Sequence, residues 1–204
     1  MPSLQDYVRR ITSCPLRAWA NRPPWELTTR SETVVSELIM ETANDDFDVI
    51  DNVLIHRTAI VERNAVLKGP LVIGPRSFIA SGAYLRGGCW LDEDCVIGPG
   101  CEVKSSFIFA SSKLAHFNFV GDSILGERVN VEAGALICNY RNERPQAGIR
   151  VRIGANLVTV DANKFGALVG DYSRLGANSV VAPGALLSHG TLLGRTELLD
   201  QEHA

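Results

Sequence analysis

Large apolar residues fall at every sixth position from Ile55 onward: Ile55, Val61, Leu67, Ile73, Ile79, Leu85, Leu91, Ile97, Val103 and Phe109. Four places after most of them stands a small residue, as at Ala59, Ala65, Ser77, Ala83, Cys89, Cys95 and Cys101. The pattern slips near Ala115 and resumes with Phe119, Leu125, Val131 and Ile137. It breaks from Arg141 to Ala162 and returns at Val169, Leu175, Val181, Leu187 and Leu193. A period of six fits neither the 3.6 of a helix nor the simple alternation of a strand. It fits a triangular prism with short flat sides and tight corners. Three hexads close one coil, so residues 18 apart stack over each other. The large residue fills the interior, the small one fits inward near a corner, and each coil satisfies its backbone through its neighbours. Glycine and proline sit where turns need them, as in Ile73-Gly74-Pro75, Ile97-Gly98-Pro99-Gly100 and Ala182-Pro183-Gly184. The predicted fold is mainly β: a left-handed parallel β-helix of hexapeptide repeats over residues 49–195.

Residues 1–48 lack the hexad. Val34, Val35, Leu38 and Ile39 make a helical stripe within Thr29 to Met40, and Pro23-Pro24 separates it from a shorter helix around Leu4 to Ile11. This predicts an α-helical N-terminal appendage packed on the prism or on a neighbouring subunit. Residues 196–204 form a short polar C-terminal tail. The break at about 141–162 reads as a protruding loop and β-hairpin, because Ile149, Val151 and Ile153 alternate with Arg150 and Arg152 before a Gly154-Ala155-Asn156 turn. With Arg141 and Arg144 it is strongly basic, either a solvated loop or a lid for an anionic ligand.

Composition narrows the function. The net charge of −3 gives no basic footprint for nucleic acid or for a membrane surface. No apolar run approaches the length of a membrane span. Met1 to Ile11 lacks the apolar core of a signal peptide, so a cytoplasmic location is the default expectation. Cys89, Cys95 and Cys101 are six apart, which suits small inward residues on successive sides and not a zinc knuckle. No metal site is expected.

The residue just after a large one points outward near a corner. Lys68, Arg86 and Lys104 hold that place, each 18 after the last. They should form one column, with neighbours about 4.8 Å apart. Like charges on adjacent strands repel, so the column is a candidate site for a phosphate or sugar phosphate. The plainer alternative is three long side chains splayed into water. His116 takes an outward place in a later hexad, and a histidine near an anion site can serve as general base for an incoming amine. A lone histidine is more often structural. His56, His189 and His203 have no such company.

A family resemblance rests on ordered motifs: Tyr84-Leu85-Arg86-Gly87-Gly88, Cys101-Glu102-Val103-Lys104, Ala115-His116-Phe117-Asn118-Phe119-Val120-Gly121-Asp122, Asn130, and Cys138-Asn139-Tyr140. From about residue 50 to 195, and most strongly from 84 to 140, the chain resembles the C-terminal acetyltransferase domain of the bifunctional glucosamine-1-phosphate acetyltransferase and uridylyltransferase, and of archaeal sugar-1-phosphate nucleotidylyltransferases. The resemblance implies an acyltransferase that N-acetylates an amino sugar phosphate or nucleotide-linked amino sugar, with acetyl-coenzyme A as co-substrate. It implies His116 as general base, Glu102 as its supporting carboxylate, and Asn139 and Tyr140 beside the sugar and the thioester. Arg86 and Lys104 would grip the sugar phosphate, Asn130 would touch the sugar, and Lys164 would add a phosphate-side lysine. Ala133 and Ala177 would lie along the coenzyme A arm. It also implies a homotrimer with sites shared between subunits, for which Trp90, Phe107 and Phe117 offer outward apolar groups.

The sequence departs from the family pattern in places. Phe119 stands where the family has a tyrosine that contacts the sugar, and Ala177 where it has a serine. Arg141-Asn142 replaces the usual Asp-Gly, and residues 1–48 replace the nucleotidyltransferase domain. Two other functions stay open: a non-catalytic trimeric binding or scaffold protein, and a γ-class carbonic anhydrase. The second needs three convergent histidines, and no two of the four here are close in sequence.

Overall fold

The computed structural model describes residues 1–144 and 148–203. Three parallel sheets form the sides of a left-handed prism, visited in turn by each coil. The first face carries strands Val53–His56, Leu71–Ile73, Cys89–Leu91, Phe107–Ile108, Ile124–Leu125, Ala167–Val169 and Ala185–Leu187. Phe47–Ile50 adds an antiparallel edge strand to it. The second face runs from Ile60–Val61 through Val96–Ile97, Lys113–Leu114 and Asn130–Val131 to Leu192–Leu193. The third runs from Val66–Leu67 through Tyr84–Arg86, Glu102–Lys104, Phe119–Gly121 and Leu136–Ile137 to Leu198–Leu199. The hexad residues line the interior, and Cys89, Cys95 and Cys101 are fully buried among them. Burial pushes the Cys89 thiol up to about 11 and raises Cys95 and Cys101 as well, so these are packing residues and not thiolates.

The register differs from a strict six in one respect. Val103 pairs with Val120, and Leu91 with Ile108, so the coil between them has 17 residues. The short steps are Val103 to Ile108 and Val120 to Leu125, both at the corner between the third and first faces. Ile108 and Val120 therefore point inward, where the sequence pattern places Phe109 and Phe119. Phe109 packs outside the first face, edge-on to Trp90 at 5.2 Å between ring centroids, and Phe119 lies half-buried on the outer side of the third face. The same corner also holds the long excursion, from Ile137 to Val169. Every other step between inward residues is six. Serine hydroxyls close the shortened turns: Ser106 Oγ donates to the Lys104 carbonyl (2.7 Å) and accepts from Ser123 N–H (3.0 Å). Ser123 Oγ donates to the Gly121 carbonyl (2.7 Å) and accepts from Ala167 N–H (3.0 Å).

A second core covers the outside of the first face. Leu54, Val72, Trp90, Phe107, Ile124 and Leu168 are buried beneath the N-terminal segment and the hairpin. The expected early helix is two 3₁₀ turns, Leu4–Asp6 and Arg9–Ser13. Helix α1 (Pro24–Thr29) starts with proline, which lacks the N–H that a first turn leaves unpaired. Helix α2 (Ser31–Thr42) buries Val34, Val35, Leu38 and Ile39. Arg10 ties the segment down through Asp92 (2.5 Å) and Glu93 (2.7 Å), and Arg9 N–H donates to the buried Asp171 (3.1 Å). Trp90 and Phe107 are thus covered by this chain itself and are not free for a partner; Phe117 stays exposed. No helix is long and apolar enough to cross a membrane among the described residues.

The hairpin forms as the alternation predicts, Ile149–Ile153 against Asn156–Val160. Instead of standing clear of the prism, it lies on the outside of the first face, because Ile149, Val151 and Val160 bury one side of it. Its arginines do not face an external anion. Arg141 pairs with Asp200 (2.6 Å), Arg150 with Glu202 (2.6 Å), Arg144 with Glu202, and Arg152 Nε donates to the Gln201 carbonyl (2.7 Å). Residues 145–147 of the excursion lie outside the described residues.

Candidate functional site

The third face has two edges of opposite character. At its far edge, the corner toward the first face, Arg86 and Lys104 sit side by side in register. Lys68 precedes them in the column, its N–H bonded to the Leu85 carbonyl (2.9 Å). Carboxylates hold both central cations. Glu102 meets Arg86 at 2.7 Å, and Asp122 meets Lys104 at 2.9 Å. This relieves the like-charge contact that a bare column would carry. Asp122, 18 residues after Lys104, also accepts from the Asn139 amide. It is an organising residue of this edge, and its 18-residue spacing from Lys104 is the signal in the sequence that marks it. Lys164 reaches this edge from the link after the hairpin and lines a cleft with Lys104 and Asp122. Tyr140 follows Asn139 and is exposed.

The near edge of the third face, the corner from the second face, holds His116. Because the step from Val103 to Ile108 is five residues, Leu114 is inward and His116 lies at the turn itself, one place beyond the hexad position that Lys104 holds. Its neighbours above are the two alanines. The His116 carbonyl accepts from Gly134 N–H (2.9 Å) and the Ala133 carbonyl from Asn178 N–H (2.9 Å), so His116, Ala133 and Ala177 stack along one corner. Beside the histidine, Phe117 has φ +53° and is 71% exposed. Neighbouring coils have Gly100 (φ +67°) and Gly134 (φ +71°) at that corner position, so a bulky residue there is strained.

Within one chain the structure therefore separates two groups across the third face. Arg86, Lys104, Asn139 and Lys164 occupy one edge; His116, Ala133 and Ala177 occupy the other. Glu102 and Phe119 lie on the face between them, paired in register, and the ion-pair partner of Glu102 within the chain is Arg86. Asn130 is on the second face, in register with Lys113 and Arg174. It lines a groove of about 860 Å³ that also holds Arg128. Among the described residues, no group of three or more His, Cys, Asp or Glu is arranged to hold a metal ion.

Residues 70–105 match the family model for the bacterial transferase hexapeptide (six repeats). The chain resembles hexapeptide-repeat acyltransferases. A bifunctional sugar-1-phosphate nucleotidylyltransferase/acetyltransferase of Sulfurisphaera tokodaii is 31% identical over 173 residues, which cover 79% of this chain and 41% of that protein. A protein of Escherichia coli (strain K12) named as an uncharacterized acetyltransferase, YaiX, is 26% identical over 98% of this chain and 91% of its own length. A crystal structure of a hexapeptide transferase family protein from Anaplasma phagocytophilum aligns with 71% of this chain and 70% of its own at 20% identity and a TM-score of 0.36, too loose a likeness to carry over any residue's role. The chain spans about two fifths of the bifunctional relative's length.

Proposed function

We propose that this chain is an acyltransferase that moves an acetyl group from acetyl-coenzyme A to the amine of an anionic amino sugar, either a sugar phosphate or a nucleotide-linked sugar. The observation that carries this reading is the pairing of Arg86 with Lys104 on one edge of the third face and the stacking of His116, Ala133 and Ala177 on the other. The names of the similar proteins support the same chemistry. Because the two edges flank a face, a ligand that touches both is best held between two subunits. Prisms packed side by side in a trimer would bring one subunit's His116 edge to another's Arg86 edge.

In this mechanism the acceptor's anionic group displaces Glu102 and Asp122 as partner of Arg86 and Lys104. The neutral amine attacks the thioester carbonyl, His116 takes the amine proton and passes it to the departing sulfur as the C–S bond breaks, and coenzyme A leaves as the thiol. Holding amine and thioester together supplies much of the rate. The buried cysteines take no part, since burial keeps them protonated. The donor arm runs along Ala133 and Ala177, with its phosphates toward Lys113, Arg128 and Arg174 in the groove of the second face.

The test is thiol release from acetyl-coenzyme A with a panel of amino-sugar 1-phosphates and nucleotide-linked amino sugars. His116→Ala should lower turnover by about 10²–10⁴-fold. Full turnover in that variant ends the base assignment. The rival reading is a non-catalytic binding protein, favoured by the absence of a hydroxyl at Phe119 and Ala177. It takes over if the wild type binds these sugars and releases no thiol.

A further inference from the structure

The N-terminal segment stands outside the six-residue repeat, yet it comes to rest on the anion edge. Helix α2 begins against Gly87-Gly88, the two residues that follow Arg86. Ser31 Oγ donates to the Gly87 carbonyl (2.9 Å). A Cβ on Gly88 would lie 2.5 Å from the Glu32 amide nitrogen, so only glycine allows this approach. The contact leaves a cleft of about 370 Å³ between the helix start and the corner. Thr29, Arg30, Glu32 and Thr33 line one wall; Lys104, Asp122 and Lys164 line the other.

Three cations, Arg30, Lys104 and Lys164, line this cleft with two carboxylates, Glu32 and Asp122. Asp122 is engaged by Lys104 and Asn139. Arg30 and Lys164 are both exposed and make no ion pair among the described residues. The Arg30 guanidinium lies over the Trp19 ring, 5.8 Å from its centroid, and Arg30 lines both this cleft and a smaller neighbouring one with Trp19, Arg22 and Glu37. Arg30 and Lys164, from distant parts of the chain, thus both line one space beside the Arg86–Lys104 column, together with Glu32.

We propose that the N-terminal segment completes the acceptor site, and that Arg30 is a specificity-determining residue for the acceptor's anionic group. This rests on the acyl-transfer reading above. A guanidinium offers a planar fork to phosphate oxygens, and Arg30, which already lines the cleft, would turn its side chain from the Trp19 ring to meet an anion there. Thr29, Thr33 and Glu32 face the same space with groups suited to sugar hydroxyls. The glycine contact holds the helical wall in place before ligand arrives.

The test compares Arg30→Ala and Arg30→Lys with wild type, using acetyl-coenzyme A with glucosamine 1-phosphate and, separately, with glucosamine. Arg30→Ala should raise KM for the phosphorylated acceptor about tenfold. It should leave KM for glucosamine and for acetyl-coenzyme A unchanged, and Arg30→Lys should recover part of the loss. An unchanged KM for the phosphorylated sugar, or an equal rise for both sugars, overturns the proposal. Calorimetric binding of glucosamine 1-phosphate without donor gives a second measure, with Kd weakened by a similar factor in Arg30→Ala. Absence of turnover in the wild type sinks the acyl-transfer reading alone; equal Kd values, or no binding by the wild type, sink this one.

Discussion

The two corners that bound the third face are built under opposite rules. At the corner from the second face every step between inward residues is six, and each coil repeats the last. At the corner toward the first face the steps are five at two places and 32 at another, from Ile137 to Val169. The regular corner can carry only what stacking allows: a histidine, two alanines and one strained phenylalanine. The irregular corner gathers groups that a strict repeat would keep apart. Its short turns bring Asp122 under Lys104, and the return from the hairpin brings Lys164. The helix laid on Gly87-Gly88 adds Arg30. Regularity gives this protein its frame, and departures from regularity give it polar groups in one place.

The largest effect expected from this contrast is at the regular corner. A Cβ on Gly98 would lie 1.7 Å from the Ala115 carbonyl oxygen, which is backbone and fixed by its own ladder. Gly98→Ala should cost more than about 4 kcal/mol or prevent folding. Thermal denaturation within a few degrees of wild type would show that the stack is far softer than described. At the irregular corner the critical group is a hydroxyl. Ser123→Ala strips the buried Ala167 N–H of its acceptor and should cost about 1–3 kcal/mol in denaturant titration. A neutral result would mean that the corner closes without the serine bridge.

The same contrast decides what the sequence revealed. Interior positions on the regular steps were legible because a large apolar residue recurs there at every sixth place, with a small one four places on. The first face broke that rule. Both of its sides are buried, so Phe107-Ile108-Phe109 offers three large apolar residues in a row and no alternation to fix the register. A count of six therefore runs on to Phe109 and hides the five-residue step to Ile108. Trp90 and Phe107 looked like partner contacts for the same reason: a buried outer side says that something covers it, not what. The Lys68, Arg86 and Lys104 column was legible from its spacing. The cleft wall at Arg30 was not, because no periodicity links a helix before the prism to a corner within it. The hairpin was visible in its alternation, but the carboxylates that hold its arginines lie at the far end of the chain.

The clamp on those arginines yields the smallest effect and the most specific pH signature. The Arg141 guanidinium holds the Asp200 carboxyl below its ordinary range. Burial pushes Glu202 up, but hydrogen bonds from Arg150 and Arg144 and the charge of Arg141 outweigh it, so its pKa too is lowered. Groups whose pKa is lowered by folding add stability above their unfolded values, near 4 for Asp and Glu. That stability is lost as pH falls through the lower folded values, when the carboxylates take up protons and the arginines lose their partners. The double variant Asp200→Asn with Glu202→Gln carries no charge to lose. It should melt below the wild type at pH 6, and the gap should narrow steadily as pH drops below about 4. A gap that stays constant would mean that hairpin and tail are joined by packing of Ile149 and Val151, with the ion pairs adding nothing. In that case the irregular corner would be fixed by its apolar cover, as the regular one is by its stack, and the contrast between them would be one of shape and not of chemistry.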